Sequence, residues 1–297
     1  MSEEKNKLSR RSFFRKSGGS LAGVVAASAV IPGLLTAKAT NLPADEKGEV
    51  VNDITRMTKE LGEALKKPIE NRKWAMVVDA RKCVGCDACT VACISENNLA
   101  PNVTYRKVIE VEDGEYPELK RFFKPTNCMQ CEKPNCVGAA NNVIPNSMSV
   151  RPDGIVTIDY TKMKGKEVFE AAKKACPYSY SLYYDEGSNY TDFTPKVQSY
   201  ESRINDEYGK GFSRAETINT TRKCHFCLHK IEKGILPACV TTCIGRAMYF
   251  GDINNSGTLA ATLLKENENF VINEAAKTLP KVRFVHDKLD ENCLKCH

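Results

Sequence analysis

Fourteen of the 297 residues are cysteine, and their spacing is where this sequence could do chemistry. Cys83, Cys86, Cys89 and Cys93 stand in a C-x2-C-x2-C-x3-C run. Such a run lets three thiolates grip one face of a 4Fe-4S cubane while the fourth points to a second cluster. Cys224, Cys227, Cys239 and Cys243 can serve as the reciprocal half. Pairing by the two-cluster ferredoxin rule gives one cluster to Cys83, Cys86, Cys89 and Cys243, and another to Cys93, Cys224, Cys227 and Cys239. Cys128, Cys131 and Cys136, with the solitary Cys176 in "ACPYSY", are enough for a third. Disulfides and zinc compete for the same atoms. Thiols this close in sequence lack natural disulfide partners elsewhere, and only part of the pattern resembles the paired C-x2-C knuckles of four-cysteine zinc sites.

The other two cysteines belong to a different chemistry. Cys293, Cys296 and His297 spell C-x-x-C-H, in which both thiols form thioethers to a c-type haem and the histidine becomes an axial iron ligand. The competing reading is a disulfide or a redox C-x-x-C beside a chance histidine. For the second axial position the chain offers His286, His225 and His229, or Met57, Met76 and Met248, and a partner's side chain is the other source.

These cysteines need elements to hold them. Helices are expected after the cysteine groups, as in "DACTVACISENN", and over "KEVFEAAKKA", where apolar residues recur at helical spacing. "YRKVIEVEDGEYPELKRFF" reads as a hairpin around Asp113-Gly114, and "DGIVTIDY" as a short strand. Residues 185–222, rich in Gly, Ser, Asn and Tyr, read as a long surface excursion. Beyond Cys243 we expect a strand ending at Gly251-Asp252, a helix over about Thr258 to Asn267 capped by Ser256, and a last strand, "KVRFV". Residues 40–73, with Pro43 and Pro68, read as a linker or arm.

The net charge is +6, yet residues 1–39 hold seven Lys or Arg against two Glu, leaving the rest nearly neutral. That balance gives no reason to expect a nucleic-acid partner. The N-terminal stretch has Arg10-Arg11, then the apolar "LAGVVAASAVIPGLL", then Ala37-Lys38-Ala39. It resembles a cleavable twin-arginine export signal and implies the periplasm. A membrane anchor is the alternative, but the apolar run is short and broken by Gly23, Pro32 and Gly33. There is no glycine-rich phosphate loop, serine nucleophile elbow or zinc-protease helix, so the chain is expected to carry electrons and not to transform a substrate.

Together "WAMVVDARKCVGCDACTVACISENN", "CMQCEKPNC", "IDY", "ACPY", "KCHFCLHKIEKGILPACVTTC" and "FGD" resemble the iron-sulfur subunits of polysulfide, tetrathionate and dimethyl sulfoxide reductases, and the related electron-transfer proteins of nitrite- and sulfite-reducing complexes. The resemblance covers about residues 74 to 285. It implies an α+β fold of tandem, pseudo-twofold bacterial-ferredoxin-like domains with short strands, short helices and long loops, and a tail over 286–297. It also implies a relay between a membrane quinone-reactive subunit and a catalytic molybdoenzyme or multihaem cytochrome subunit. Such subunits usually carry sixteen cysteines for four clusters. Here Ala140, Lys166, Phe169 and Ala172 stand where the resemblance expects the four cysteines of one cluster. The expectation is therefore three 4Fe-4S clusters in an unbroken wire, with the terminal one on the membrane side deleted, plus one haem c as a replacement exit. A free periplasmic ferredoxin, or a structural cluster protein with a terminal disulfide in place of haem, is the alternative.

Overall fold

The computed structural model describes residues 52–178, 180–187 and 214–286. The export signal at 1–39 and the haem residues Cys293, Cys296 and His297 lie outside these described residues.

Helix α1 (Asp53–Leu65) comes first, and Met57, Leu61 and Ala64 at helical spacing bury one face. Asn52 caps it by accepting the Thr55 N–H at 2.9 Å. The expected linker or arm is therefore corrected from residue 53 onward. Its polar residues form the outer face of a docked helix, and Pro68 falls beyond the helix end instead of breaking it.

Strand β1 (Trp74–Asp79) is buried at every position. Then come helix α2 (Ala88–Glu96) and the hairpin of β2 (Arg106–Asp113) and β3 (Lys120–Asn127), which turns at Gly114 with φ +90°. The hairpin register sets Arg106 opposite Asn127 and Asp113 opposite Lys120. Helix α3 (Asn135–Val143), the short antiparallel pair β4 (Met148–Val150) and β5 (Val156–Ile158), and helix α4 (Lys166–Ala175) follow. The "KEVFEAAKKA" helix thus has the bounds its pattern predicts.

Strands β6 (Tyr183–Tyr184) and β7 (Thr221–Arg222) pair across the expected surface excursion, with the short helix α5 (Arg214–Thr217) between them. At its described ends that excursion is partly on the surface, with Glu186, Glu216 and Asn219 exposed, and partly anchored inside. Asp185, Thr220, Thr221 and Arg222 are all buried. Arg222 explains the burial: its guanidinium meets the Asp185 carboxylate at 3.1 Å, donates to the Tyr105 hydroxyl at 2.8 Å, and lies over the rings of Tyr105 and Tyr160. Residues 188–213 lie outside the described set.

Two short helices, α6 (Leu228–Ile231) and α7 (Ala238–Thr241), carry the last cysteine motif. Strand β8 (Met248–Asp252), helix α8 (Leu259–Glu266), and strands β9 (Asn269–Phe270) and β10 (Val282–Val285) complete the described fold. The cap of α8 is Thr258, whose hydroxyl accepts from the Ala261 N–H, and not Ser256.

The main sheet has the order β8-β1-β10-β9, with β1 antiparallel to β8 and parallel to β10. The sheet therefore clamps the two ends of the cysteine region side by side, with α1 and α8 packed on β8. A second apolar core gathers Ala140, Met148, Val156, Ile158, Tyr160, Met163, Val168 and Ala172 around α3 and α4. No helix among the described residues is long and apolar enough to cross a membrane.

Candidate metal centres

All twelve described cysteines are free thiols, and several lie close enough to act on one another. Burial first raises the Cys83 thiol, with Cys243 and Cys86 among its neighbours. Cys93 is raised well above the usual thiol value by burial, then by Cys227, Cys224 and Cys239. Cys136 is likewise raised by burial, then by Cys128 and Cys176. The spacing expects three sets: Cys83, Cys86, Cys89 and Cys243 in the first, Cys93, Cys224, Cys227 and Cys239 in the second, and Cys128, Cys131, Cys136 and Cys176 in the third. Among the described residues no group of three or more His, Cys, Asp or Glu is drawn in closely enough to hold a single ion. Tetrahedral zinc needs its sulfurs about 2.3 Å from one centre.

Local backbone chemistry builds each set. In the first, Gly85 has φ +69°, and a Cβ there would meet the Phe123 ring at 2.5 Å, so only glycine lets the Cys83 loop curl. Gly245 lies so close to the Lys82 carbonyl oxygen that a Cβ would collide with it. That approach brings the Cys243 loop onto the Cys83 loop, where the Ala247 N–H donates to the Cys243 sulfur at 3.2 Å. Cys86 is the exposed corner of this set.

In the second set every cysteine is buried. Phe226 and Cys227 both adopt left-handed backbone (φ +57° and +55°), a strained pair that turns the Phe226 N–H toward the Cys224 sulfur at 3.5 Å. Asn97 donates from Nδ2 to the Cys93 sulfur at 3.4 Å, and Asn127 to the Cys224 sulfur at 3.6 Å. His225 fixes Asn97. Its Nδ1 accepts the Leu228 N–H at 3.0 Å, so Nε2 carries the proton and donates to Asn97 Oδ1 at 3.1 Å.

The third set lines a small cavity with Pro134, Val156, Tyr178, Ser181 and Leu182. Gln130, left-handed between Cys128 and Cys131, ties this set to the second. Its Nε2 donates to the Cys224 carbonyl, and its Oε1 accepts the Val156 N–H at 2.8 Å.

The sets are contiguous. Burial pushes the Cys89 thiol up to about 11, with Arg106 opposing and Cys239 of the second set adding to the rise. Burial also carries Cys224 up to about 11, with Arg106 opposing and Cys239 and Cys128 adding. Helix α2 carries Cys89 of the first set and Cys93 of the second, and Gln130 links the second to the third.

A buried thiol held this high stays protonated unless positive charge is supplied, which is what iron does as it displaces the proton. Arg106 tests the fit independently. It is 2% exposed, its Nη2 donates to Asn127 Oδ1 at 2.9 Å, and its Nη1 has no partner among the described residues. A guanidinium buried in this way needs an anion nearby, and cluster-bound thiolates would supply one. The quartets therefore fit iron-sulfur clusters.

Of the four positions where the resemblance expects another quartet, two are apolar and buried, one is a half-buried phenylalanine and one an exposed lysine. Ala140 and Ala172 are fully buried at the contact of α3 with α4. Phe169 packs on the Tyr184 ring at 5.4 Å, and Lys166 lies over the same ring. Of the side chains considered for the haem, Met57, Met76 and Met248 are core residues, and His229 bonds Glu96 at 2.9 Å. His286 packs against Phe122.

Sequence reasoning missed Arg106, Asn97, Asn127 and Gln130. Asn97 carried a signal, standing one helical turn after Cys93. Gln130 carried another, lying inside a C-x2-C loop. Arg106 and Asn127 carried none, because they meet only through hairpin register.

Comparison with known proteins finds iron-sulfur relatives. A family model described as a 4Fe-4S dicluster domain matches residues 119–194 and 208–253. The sequence is 41% identical over 297 residues to the B subunit of selenate reductase from Mesobacillus selenatarsenatis, spanning 96% of this protein and 99% of the relative. It is 30% identical over 203 residues to the B subunit of tetrathionate reductase from Salmonella typhimurium, covering 67% of this protein and 66% of that one. With the B component of polysulfide reductase from Wolinella succinogenes the identity is 29% over 222 residues, covering 73% and 96% respectively. With these likenesses and its free thiols in closely spaced motifs, the protein belongs to the family of 4Fe-4S dicluster electron-transfer B subunits of reductase complexes.

Proposed function

We propose that this electron-transfer subunit carries three 4Fe-4S clusters in a line and a haem c on its tail. The observation that supports the count is that Cys128, Cys131, Cys136 and Cys176 line one cavity among twelve free thiols, while Ala140 and Ala172, at two of the positions where a fourth quartet would stand, belong to an apolar core. Cys83, Cys86, Cys89 and Cys243 would hold the first cluster, Cys93, Cys224, Cys227 and Cys239 the second, and Cys128, Cys131, Cys136 and Cys176 the third. Each cluster supplies reversible one-electron storage at a potential set by its surroundings. The chain's own residues fix the spacing, exclude water and direct N–H groups at sulfur.

The haem reading rests on Cys293, Cys296 and His297 alone. In it the haem replaces the deleted cluster as the exit for electrons near the third quartet. The twin-arginine pattern supports export to the periplasm with cofactors already loaded. There the subunit would relay electrons between a membrane quinone-reactive subunit and a catalytic molybdoenzyme or multihaem cytochrome subunit. The relatives named for selenate and tetrathionate make an oxyanion reductase the first catalytic partner to test.

Iron analysis and spectroscopy of the purified chain test this reading. About twelve cluster irons per chain and haem staining of the denatured band, lost in Cys296→Ser, are expected. About eight or sixteen irons would refute the count, and staining that survives Cys296→Ser would refute the haem assignment.

A further inference from the structure

We infer that Arg106 is a positioning residue that sets the reduction potential of the middle cluster: its buried guanidinium, without a carboxylate partner among the described residues, donates to Asn127 Oδ1 at 2.9 Å, and Asn127 Nδ2 donates to the Cys224 sulfur at 3.6 Å. The inference rests on the cluster assignment above.

The guanidinium is held rigidly. Its Nη2 contacts Met76 Sδ on β1 at 2.8 Å and Asn127 Oδ1 on β3 at 2.9 Å, so the charge is pinned between the sheet and the base of the hairpin. Its Nη1 is buried and has no partner among the described residues. No carboxylate forms an ion pair with it among those residues. Burial opposes its charge, yet the sulfurs of Cys239, Cys89, Cys224 and Cys93 hold its pKa above the ordinary arginine value. Three of those four belong to the middle quartet and one to the first.

Arginine keeps its charge at any pH a protein survives, so the effect is a fixed field. Adding an electron makes an anionic cluster more negative, and a fixed cation in a low-dielectric interior favours that state. An N–H directed at cluster sulfur acts in the same direction.

The third quartet has different cations. The Lys223 Nζ donates to the Cys224 carbonyl at 2.8 Å, and the Lys281 Nζ to the carbonyls of Gln130 and Gly154. Both ammonium groups are satisfied by backbone oxygens. Loss of Arg106 should therefore be felt most at the middle cluster, less at the Cys83 cluster and least at the Cys128 cluster.

The test is a redox titration of the full chain followed by EPR, comparing native protein with Arg106→Gln and Arg106→Lys. In Arg106→Gln the midpoint of the middle cluster moves to more negative potential, further than either of the others. Arg106→Lys keeps the charge and recovers most of the shift. Unmoved midpoints in Arg106→Gln, or an equal shift in all three clusters, would overturn the inference. So would a Lys variant displaced as far as the Gln variant, since packing and not charge would then be responsible. If Arg106→Gln fails to load its clusters, native protein grown with 15N-arginine still decides. Pulsed EPR of the reduced middle cluster should show a 15N coupling, and its absence would put the guanidinium out of reach of that cluster and overturn the inference. Native protein with the wrong iron count would instead refute the cluster reading, a result separate from any of these.

Discussion

The region built from the first and fourth cysteine motifs and the region built from the second and third share a plan but not an interior. In the former, α2 meets α7, and the side chains near their contact include the thiols of Cys89, Cys93 and Cys239. In the latter, α3 meets α4 over a broader contact, with Ala140 and Ala172 fully buried between them. Taking away four cysteines and a cluster would leave a void, and voids cost about 24 cal/mol per Å³. Here the helices close on small side chains, while Met148, Met163 and Val168 fill the rest. The α3–α4 contact is thus closed by an ordinary apolar core.

The contrast predicts unequal dependence on iron. Cys224→Ala should remove the middle cluster, roughly a third of the bound iron. With it should go the amide-exchange protection of α2 and α7, while α3 and α4 keep theirs. Equal loss in both regions would erase the distinction.

The joint between the regions is the β6–β7 pair, where Arg222 and Asp185 are 1% and 0% exposed. Removing one partner of such a pair strands the other charge. Asp185→Ala should therefore cost about 3–5 kcal/mol in chemical denaturation. A cost under about 1 kcal/mol would mean that the Tyr105 and Tyr160 rings hold Arg222 without its carboxylate.

The two regions also differed in how far their sequences could be read. The iron-sulfur motifs were legible because most of their cysteines are local and their spacing is fixed by cluster geometry. The hairpin at Asp113-Gly114 and the α4 helix were legible because turn chemistry and 3.6-residue spacing act within a few residues. The burial of Thr220, Thr221 and Arg222 was not, because it depends on Asp185 and Tyr105 arriving from distant parts of the chain. Helix α1 was readable but overlooked: Ile54, Met57, Leu61 and Leu65 follow helical spacing within a stretch whose prolines suggested a linker.

Overpacking sharpens the comparison from the other side. Ala172→Leu adds volume where two helices already touch, at a site that is 0% exposed. The expected cost is about 1–3 kcal/mol, with the full complement of iron retained. If iron falls with stability, the apolar core and the neighbouring Cys176 cluster behave as one unit, and the regional contrast must be redrawn.

The smallest expected effect concerns the sheet beneath the first region. The Thr258 hydroxyl accepts the Ala261 N–H at 3.3 Å and lies 3.0 Å from the Asp252 carbonyl. It thus caps α8 and ties the helix to the end of β8, a double role that Ser256, two residues earlier, cannot fill. Thr258→Ala should cost about 1 kcal/mol, while Ser256→Ala should change stability by less than about 0.5 kcal/mol. Neither should alter cluster content, because α8 supports the sheet and not the thiol loops. A loss of iron in Thr258→Ala, read by the same analysis, would mean that the sheet end and the Cys83 loop are coupled through β1. The first region would then rest on its strands as much as on its clusters.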